Sequence, residues 1–256
     1  MTPQLGLRAF RHSILVIFFL FVFVFSASVD AQHTTPCPEV DSIADCPDEG
    51  CGGDPELNKR KNIRANDQQS KLKTIEELKE LPNPDTTRFT SENRDRSVLT
   101  ELGEGEKVTV VAWALTARPG GKESCNCRLK GQQDTDNHIV LVDPRLKDPK
   151  LTEKTEDHSV TAEFTPRVKL DHPNFKRAKL NELIDPDWDG GSGNPHGKLL
   201  VRVTGLLLFD SEHFFGKSLH RENDWEIHPV LKLEYCPEEE TCRADSDENW
   251  IDFDND

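Results

Sequence analysis

The sequence has no apolar run long enough to cross a membrane. A spanning helix needs ~20 apolar residues, whereas Ile14 to Phe25 supplies twelve. Positive charge is also short: 32 Lys and Arg stand against 47 Asp and Glu, a formal charge of −15. No basic stripe offsets that balance, so a polyanionic nucleic acid is repelled and nucleic-acid binding ranks low. No nucleophile elbow, phosphate loop or HExxH metal signature occurs, which removes the motif-borne routes to hydrolysis and nucleotide binding. Paired zinc-finger spacing is missing as well, since Cys46-x4-Cys51 and Cys125-x-Cys127 match it poorly.

What is present starts with that twelve-residue run. Arg8 and Arg11 precede it, Ser26-Ala27-Ser28 follow it, and Val29 and Ala31 occupy the small-residue positions of a cleavage site. The pattern predicts a signal peptide over 1–31, a mature N-terminus at Gln32 and no stable membrane span after cleavage. The mature chain is then secreted or periplasmic. A lipid anchor fits less well, because Thr35 and Pro36 precede Cys37 where a lipobox is needed. All seven cysteines, at 37, 46, 51, 125, 127, 236 and 242, follow the signal. An oxidising compartment favours disulfides, and the odd count leaves one thiol over. Cys236 and Cys242 are placed to close a short loop. Cys125 and Cys127 are too close for an easy mutual bond, so each is expected to reach Cys37, Cys46 or Cys51.

Residues 32–105 form a polar, proline-broken, cysteine-containing extension. Its one periodic piece has Leu72, Ile75, Leu78 and Leu81 at helical spacing and stops at Pro82. From 106 to 236 the pattern changes. Val108–Ala117 reads as a strand with two apolar faces, His138–Asp143 as a second and His158–Leu170 as a third. Phe175, Ala178, Leu180, Leu183 and Ile184 mark a helix over Asn174–Ile184; Leu199–Phe209 and Trp225–Cys236 read as the fourth and fifth strands. The order β-β-β-α-β-β predicts a mainly β fold, a five-stranded barrel of the oligonucleotide/oligosaccharide-binding (OB) type. The rival immunoglobulin-like sandwich needs about seven strands and no inserted helix. Residues 237–256 carry Glu238, Glu239, Glu240, Asp245, Asp247, Glu248, Asp252, Asp254 and Asp256 against Arg243 alone, and read as a disordered acidic tail.

Several segments carry a resemblance. Glu123-Ser124-Cys125-Asn126-Cys127, Asp136-Asn137-His138-Ile139, Glu163-Phe164-Thr165-Pro166-Arg167, Val203-Thr204-Gly205, Phe209-Asp210-Ser211-Glu212-His213 and Trp225-Glu226-Ile227-His228-Pro229-Val230 resemble a group of uncharacterised exported bacterial proteins with a barrel of this kind. The resemblance covers about half the chain. It implies the fold and implies no activity or catalytic residue.

Candidate binding residues are His138, Glu163, Arg167, Asp210, His213, Glu226 and His228, which alternation and strand ends place on neighbouring strands. Histidines and carboxylates that meet at a barrel mouth can act as acid and base or hold a metal. Polar strand ends also meet water for no catalytic reason, so a rim role is favoured at this stage. A second candidate is Asp185-Pro-Asp187-Trp-Asp189-Gly190, the first half of a calcium loop. His196 stands where the closing glutamate belongs, so a plain turn is favoured over a weak calcium site. The sequence thus predicts an exported binding or interaction module for an extracytoplasmic glycan, peptide or protein, with Trp113 and Trp225 as platforms if exposed. A metal-dependent or acid/base hydrolase is the alternative, and mutual distances among the candidate side chains discriminate the two.

Overall fold

Capping residues set the first elements of the chain. Asp54 accepts the backbone N–H groups of Glu56 and Leu57, and Pro55 fills the first helical position, starting α1 (Pro55–Lys61). Thr74 and Glu77 form a reciprocal capping box that starts α2 (Ile75–Lys79). The residues before that cap extend as β1 (Lys71–Lys73). The helix expected over 72–81 is therefore shorter: Ile75 and Leu78 are buried, while Leu72 lies in β1 and is 53% exposed. A third short helix, α3 (Ser97–Glu101), follows. These features belong to a computed structural model that describes Cys37 and residues 39–255, apart from 192 and 217–219. The expected signal peptide and the N-terminus at Gln32 lie outside the described residues.

Five strands close into a mixed barrel: β2 (Lys107–Pro119), β3 (Asn137–Val142), β4 (Val160–Phe164), β5 (Leu199–Phe209) and β6 (Trp225–Tyr235). β3 pairs antiparallel with β2 and β4, β4 parallel with β6, β6 antiparallel with β5, and β5 antiparallel with β2. No sandwich of two sheets forms among the described residues. The two apolar faces of β2 have separate uses. Val108, Val110, Ala112 and Ala114 point into the main core, while Trp113 and Leu115 join an outer cluster with Val142, Leu200 and Cys236. At Gly205, where the β5–β6 register shifts, a Cβ would sit 2.4 Å from the Pro229 carbonyl oxygen. Only glycine allows that approach.

The third strand is shorter than its sequence pattern. Thr165 accepts the Val168 N–H and Pro166 takes the first helical position, so the chain turns at Phe164 into a helix, α5 (Pro166–Asp171), after the one-turn α4 (Glu153–Glu156). α6 (Arg177–Ile184) sends Leu180 and Ile184 into the barrel core. Its buried Asn181 bonds both the N–H (2.8 Å) and the C=O (3.0 Å) of Ala117, beyond the bulge in β2. Ile75, Leu78, Phe89, Val98 and Leu99 of the extension pack into the same core. One further turn, α7 (Ser211–Phe214), is capped by Asp210. Among the described residues no helix is long and apolar enough to cross a membrane.

The acidic tail is not a disordered segment. Ile251–Asp252 pair with β6 as β7, Phe253 is fully buried 6.1 Å from the Phe164 ring, and Trp250 packs against the outer cluster on β2. Arg202 binds Glu234 (2.6 Å), Asp247 (2.8 Å) and the Ser246 carbonyl (2.9 Å). Charge content masked the apolar triplet Trp250, Ile251 and Phe253, whose burial holds the segment. Disulfides join Cys37 to Cys51, Cys46 to Cys127 and Cys236 to Cys242; of the two close cysteines only Cys127 reaches the extension, and Cys125, expected to do the same, stays a buried thiol because Cys37 and Cys51 pair with each other.

Candidate functional site

Strand alternation decides which side chains meet. Ile139, Ala162, Phe164 and Ile227 point into the core, so His138, Glu163, Glu226 and His228 point to the outer face of β3, β4 and β6. Register does the rest: His138 lies opposite Glu163, and Ala162 beside Ile227. The candidates converge on this outer face and not at an open barrel mouth. The extension and the loop after β2 cover them, so Glu226 and His228, read from the sequence as rim residues, are 0% and 1% exposed.

His228 Nδ1 lies 3.1 Å from both Glu163 Oε2 and Glu226 Oε1, and only the Glu226 contact is aligned as a hydrogen bond. His228 Nε2 faces Asp136 Oδ2 at 3.9 Å, and neither atom has a hydrogen-bond partner. Asn126 donates to the other Asp136 oxygen at 3.0 Å. Above Glu163, His138 Nε2 stands 3.4 Å from Oε1 without a hydrogen bond. Behind Glu226, Arg221 bonds that carboxylate at 2.8 Å and Asp210 at 3.1 Å, and Asp210 also holds His213 Nδ1. Lys61, at the end of α1, binds Glu123 at 2.8 Å, and the Cys125 thiol donates to the same carboxylate oxygen at 3.3 Å.

The electrostatics follow from burial and neighbours. Burial opposes charge on His228, yet Glu163 and Glu226 prevail and push it up to about 10. Burial and the Glu123 carboxylate push Asp136 up to about 7. Glu163 is held well below the usual carboxylate range, because His138 and His228 overcome its burial. Lys61 lies well above the ordinary lysine value; Glu123 and Asp210 outweigh its desolvation. Burial, Asp136 and Glu123 all push the Cys125 thiol up. Among the described residues, Glu123, Asp136, Glu163, Asp210 and Glu226 are faced by Lys61, Arg221, a His228 that its neighbours keep charged and, at Asp136, Lys169. A buried carboxylate without a partner costs several kcal/mol, so the set favours any cation that can enter.

A pocket of about 420 Å³ opens onto this cluster, lined by Lys61, Glu123, Arg128, His138, Asp210 and His213 among others. A larger pocket of about 580 Å³, near Glu76 and His158, holds no comparable convergence among the described residues. Three overlapping donor sets meet beside the smaller pocket: Glu123, His138 and Glu163, of which Glu123 and His138 line it; Asp136, Glu163 and His228, fully buried; and Glu123, Cys125 and Asp136. Within each set the donor atoms lie within 4.8 Å of one another. Bonds of ~2.0–2.3 Å to a zinc-class ion fit such a set after side-chain shifts below ~1 Å.

The remaining sequence candidates lie elsewhere. Arg167 is on α5 and binds the carbonyls of Cys46 and Pro47 and the Asp48 carboxylate (3.2 Å), tying the extension down. Asp185 accepts the N–H groups of Asp187 and His196, and Asp189 that of Gly191. Among the described residues these carboxylates do not gather around a common point. Trp113 and Trp225 are buried and donate to the Pro144 and Pro82 carbonyls, so neither is a platform. Sequence reasoning missed Lys61, Glu123, Asp136 and Arg221 in the cluster and did not single out Cys125 as the spare thiol. Asp136 stands two residues from His138, a spacing that was open to reading. No family model, curated protein or solved structure matches this chain.

Proposed function

We propose that this chain is an exported OB-like barrel protein that works as a metal-dependent hydrolase, with a divalent ion held by Glu123, His138 and Glu163. The observation that carries the reading is the donor set beneath the pocket: an imidazole nitrogen and two carboxylates converge there, and His138 Nε2 has no hydrogen-bond partner. Three protein ligands with one side open to a pocket is the arrangement of catalytic zinc sites. The strand order, with a helix between the third and fourth strands, supports the OB-like assignment, and three disulfides support export.

A bound ion supplies Lewis acidity and a water made acidic enough to attack at neutral pH. The protein's part is positioning. His228, fixed by Glu226 and through it by Arg221, holds Glu163 from behind. His213, oriented by Asp210, faces the same pocket and is placed to move a proton. Mature protein dialysed against metal-free buffer is expected to retain at least one divalent ion per chain, and added metal should raise its melting temperature. His138→Ala and Glu163→Gln should abolish both effects. Wild-type protein that carries no metal, with a melting temperature indifferent to added Zn²⁺, overturns the hydrolase in favour of a pocket that only binds.

A further inference from the structure

Seven cysteines yield three disulfides, and the thiol left over is not at the surface. Cys125 is 1% exposed, and its sulfur lies within 4.8 Å of donor atoms from Glu123 and Asp136. Asp136 is 0% exposed, and its Oδ2 has no hydrogen-bond partner. This carboxylate, beside a thiol and a second carboxylate, has the His228 ring no nearer than 3.9 Å, so a directly bound cation would offset its burial further. Glu123 belongs both to this set and to the pocket-facing set with His138 and Glu163. The sulfur's set is therefore joined to the pocket-facing set through Glu123, and its own donors are the Glu123 and Asp136 carboxylates.

We propose that Cys125 is a metal ligand beside Glu123 and Asp136, an oxygen and sulfur donor set that selects a thiophilic ion of the zinc class over calcium, magnesium or manganese. This rests on the metal-binding reading above. Thiolate ligands favour zinc-like ions, whereas all-oxygen sets favour the hard cations. As the sulfur–metal bond forms, the thiol proton leaves to solvent and the S–H···O contact to Glu123 is lost. Lys61 can keep its bond to Glu123.

Co²⁺ titrated into the chelator-stripped mature chain tests this directly. A thiolate on Co²⁺ gives an intense near-ultraviolet charge-transfer band, separate from the weaker visible bands that report any bound Co²⁺. Both are expected in the wild type with one saturation point. Cys125→Ser should lose the charge-transfer band, keep weakened visible bands and bind Zn²⁺ at least tenfold less tightly. Visible bands without the charge-transfer band in the wild type overturn the thiolate ligand and leave the hydrolase reading intact. No Co²⁺ bands at all overturn both. The wild-type spectrum decides even if the variant does not fold.

Discussion

At the scale of single residues, burial changes what His228 and Glu226 mean. As rim groups they would tolerate substitution at about 1 kcal/mol or less. Both instead lie against Glu163 and Arg221 inside the covered face. Removing one partner of such a pair leaves an uncompensated buried charge, at ~3–5 kcal/mol. Urea denaturation of Glu226→Gln should show a loss of that size, since Arg221 keeps its charge; a loss below 1 kcal/mol would return the residue to a rim role. His213 offers a pH test. Its bond to Asp210 outweighs partial burial and raises its pKa above the ordinary histidine value, with Arg221 opposing and Glu226 assisting. Folding is therefore favoured by His213 below the unfolded pKa of ~6.5, and the contribution is lost as pH rises through the folded value. The stability gap between wild type and His213→Gln is expected at pH 6 and should shrink by pH 9. A gap that ignores pH contradicts the assignment.

At the scale of elements, the disulfides do unequal work. Cys46–Cys127 ties the extension to the loop after β2 across 81 residues, whereas Cys236–Cys242 closes a span of 6. In the chain-entropy account the first restricts the unfolded chain by about 4–5 kcal/mol and the second by about 2 kcal/mol. Cys46→Ser/Cys127→Ser should accordingly lower the melting temperature more than Cys236→Ser/Cys242→Ser, as read by calorimetry. The reverse order would mean that the tail, not the extension, limits stability. The strands were legible because period-two alternation survives in most: Val108 to Ala114 and Leu199 to Phe209 show it plainly, whereas in β6 it slips at the Gly205 register shift, where Val230 and not Leu231 is fully buried in the core. The break at Thr165-Pro166 and the cap at Thr74 were legible in principle, but apolar spacing outvoted them. β7 was hidden because nine carboxylates surround its few apolar residues.

At the scale of the whole molecule, the candidate site was legible in part. His138, Glu163, Glu226 and His228 were chosen from alternation and strand starts and Asp210 from a strand end, and the contacts of 3.1–3.4 Å among the first four follow from register and alternation. Lys61, Glu123 and Cys125 come from segments distant in sequence, so no local period announces them. Their place depends on Cys46–Cys127 and on how the extension lies over β3, β4 and β6. The claim that unites these contacts is that a divalent ion is held by Glu123, His138 and Glu163. A crystal grown with Zn²⁺ and measured on both sides of the zinc absorption edge tests it most directly. The account predicts an anomalous peak ~2.0–2.3 Å from His138 Nε2 and from a Glu163 oxygen, beside Glu123. Clear density for Lys61 bonded to Glu123 with no anomalous peak within reach of His138 would contradict it.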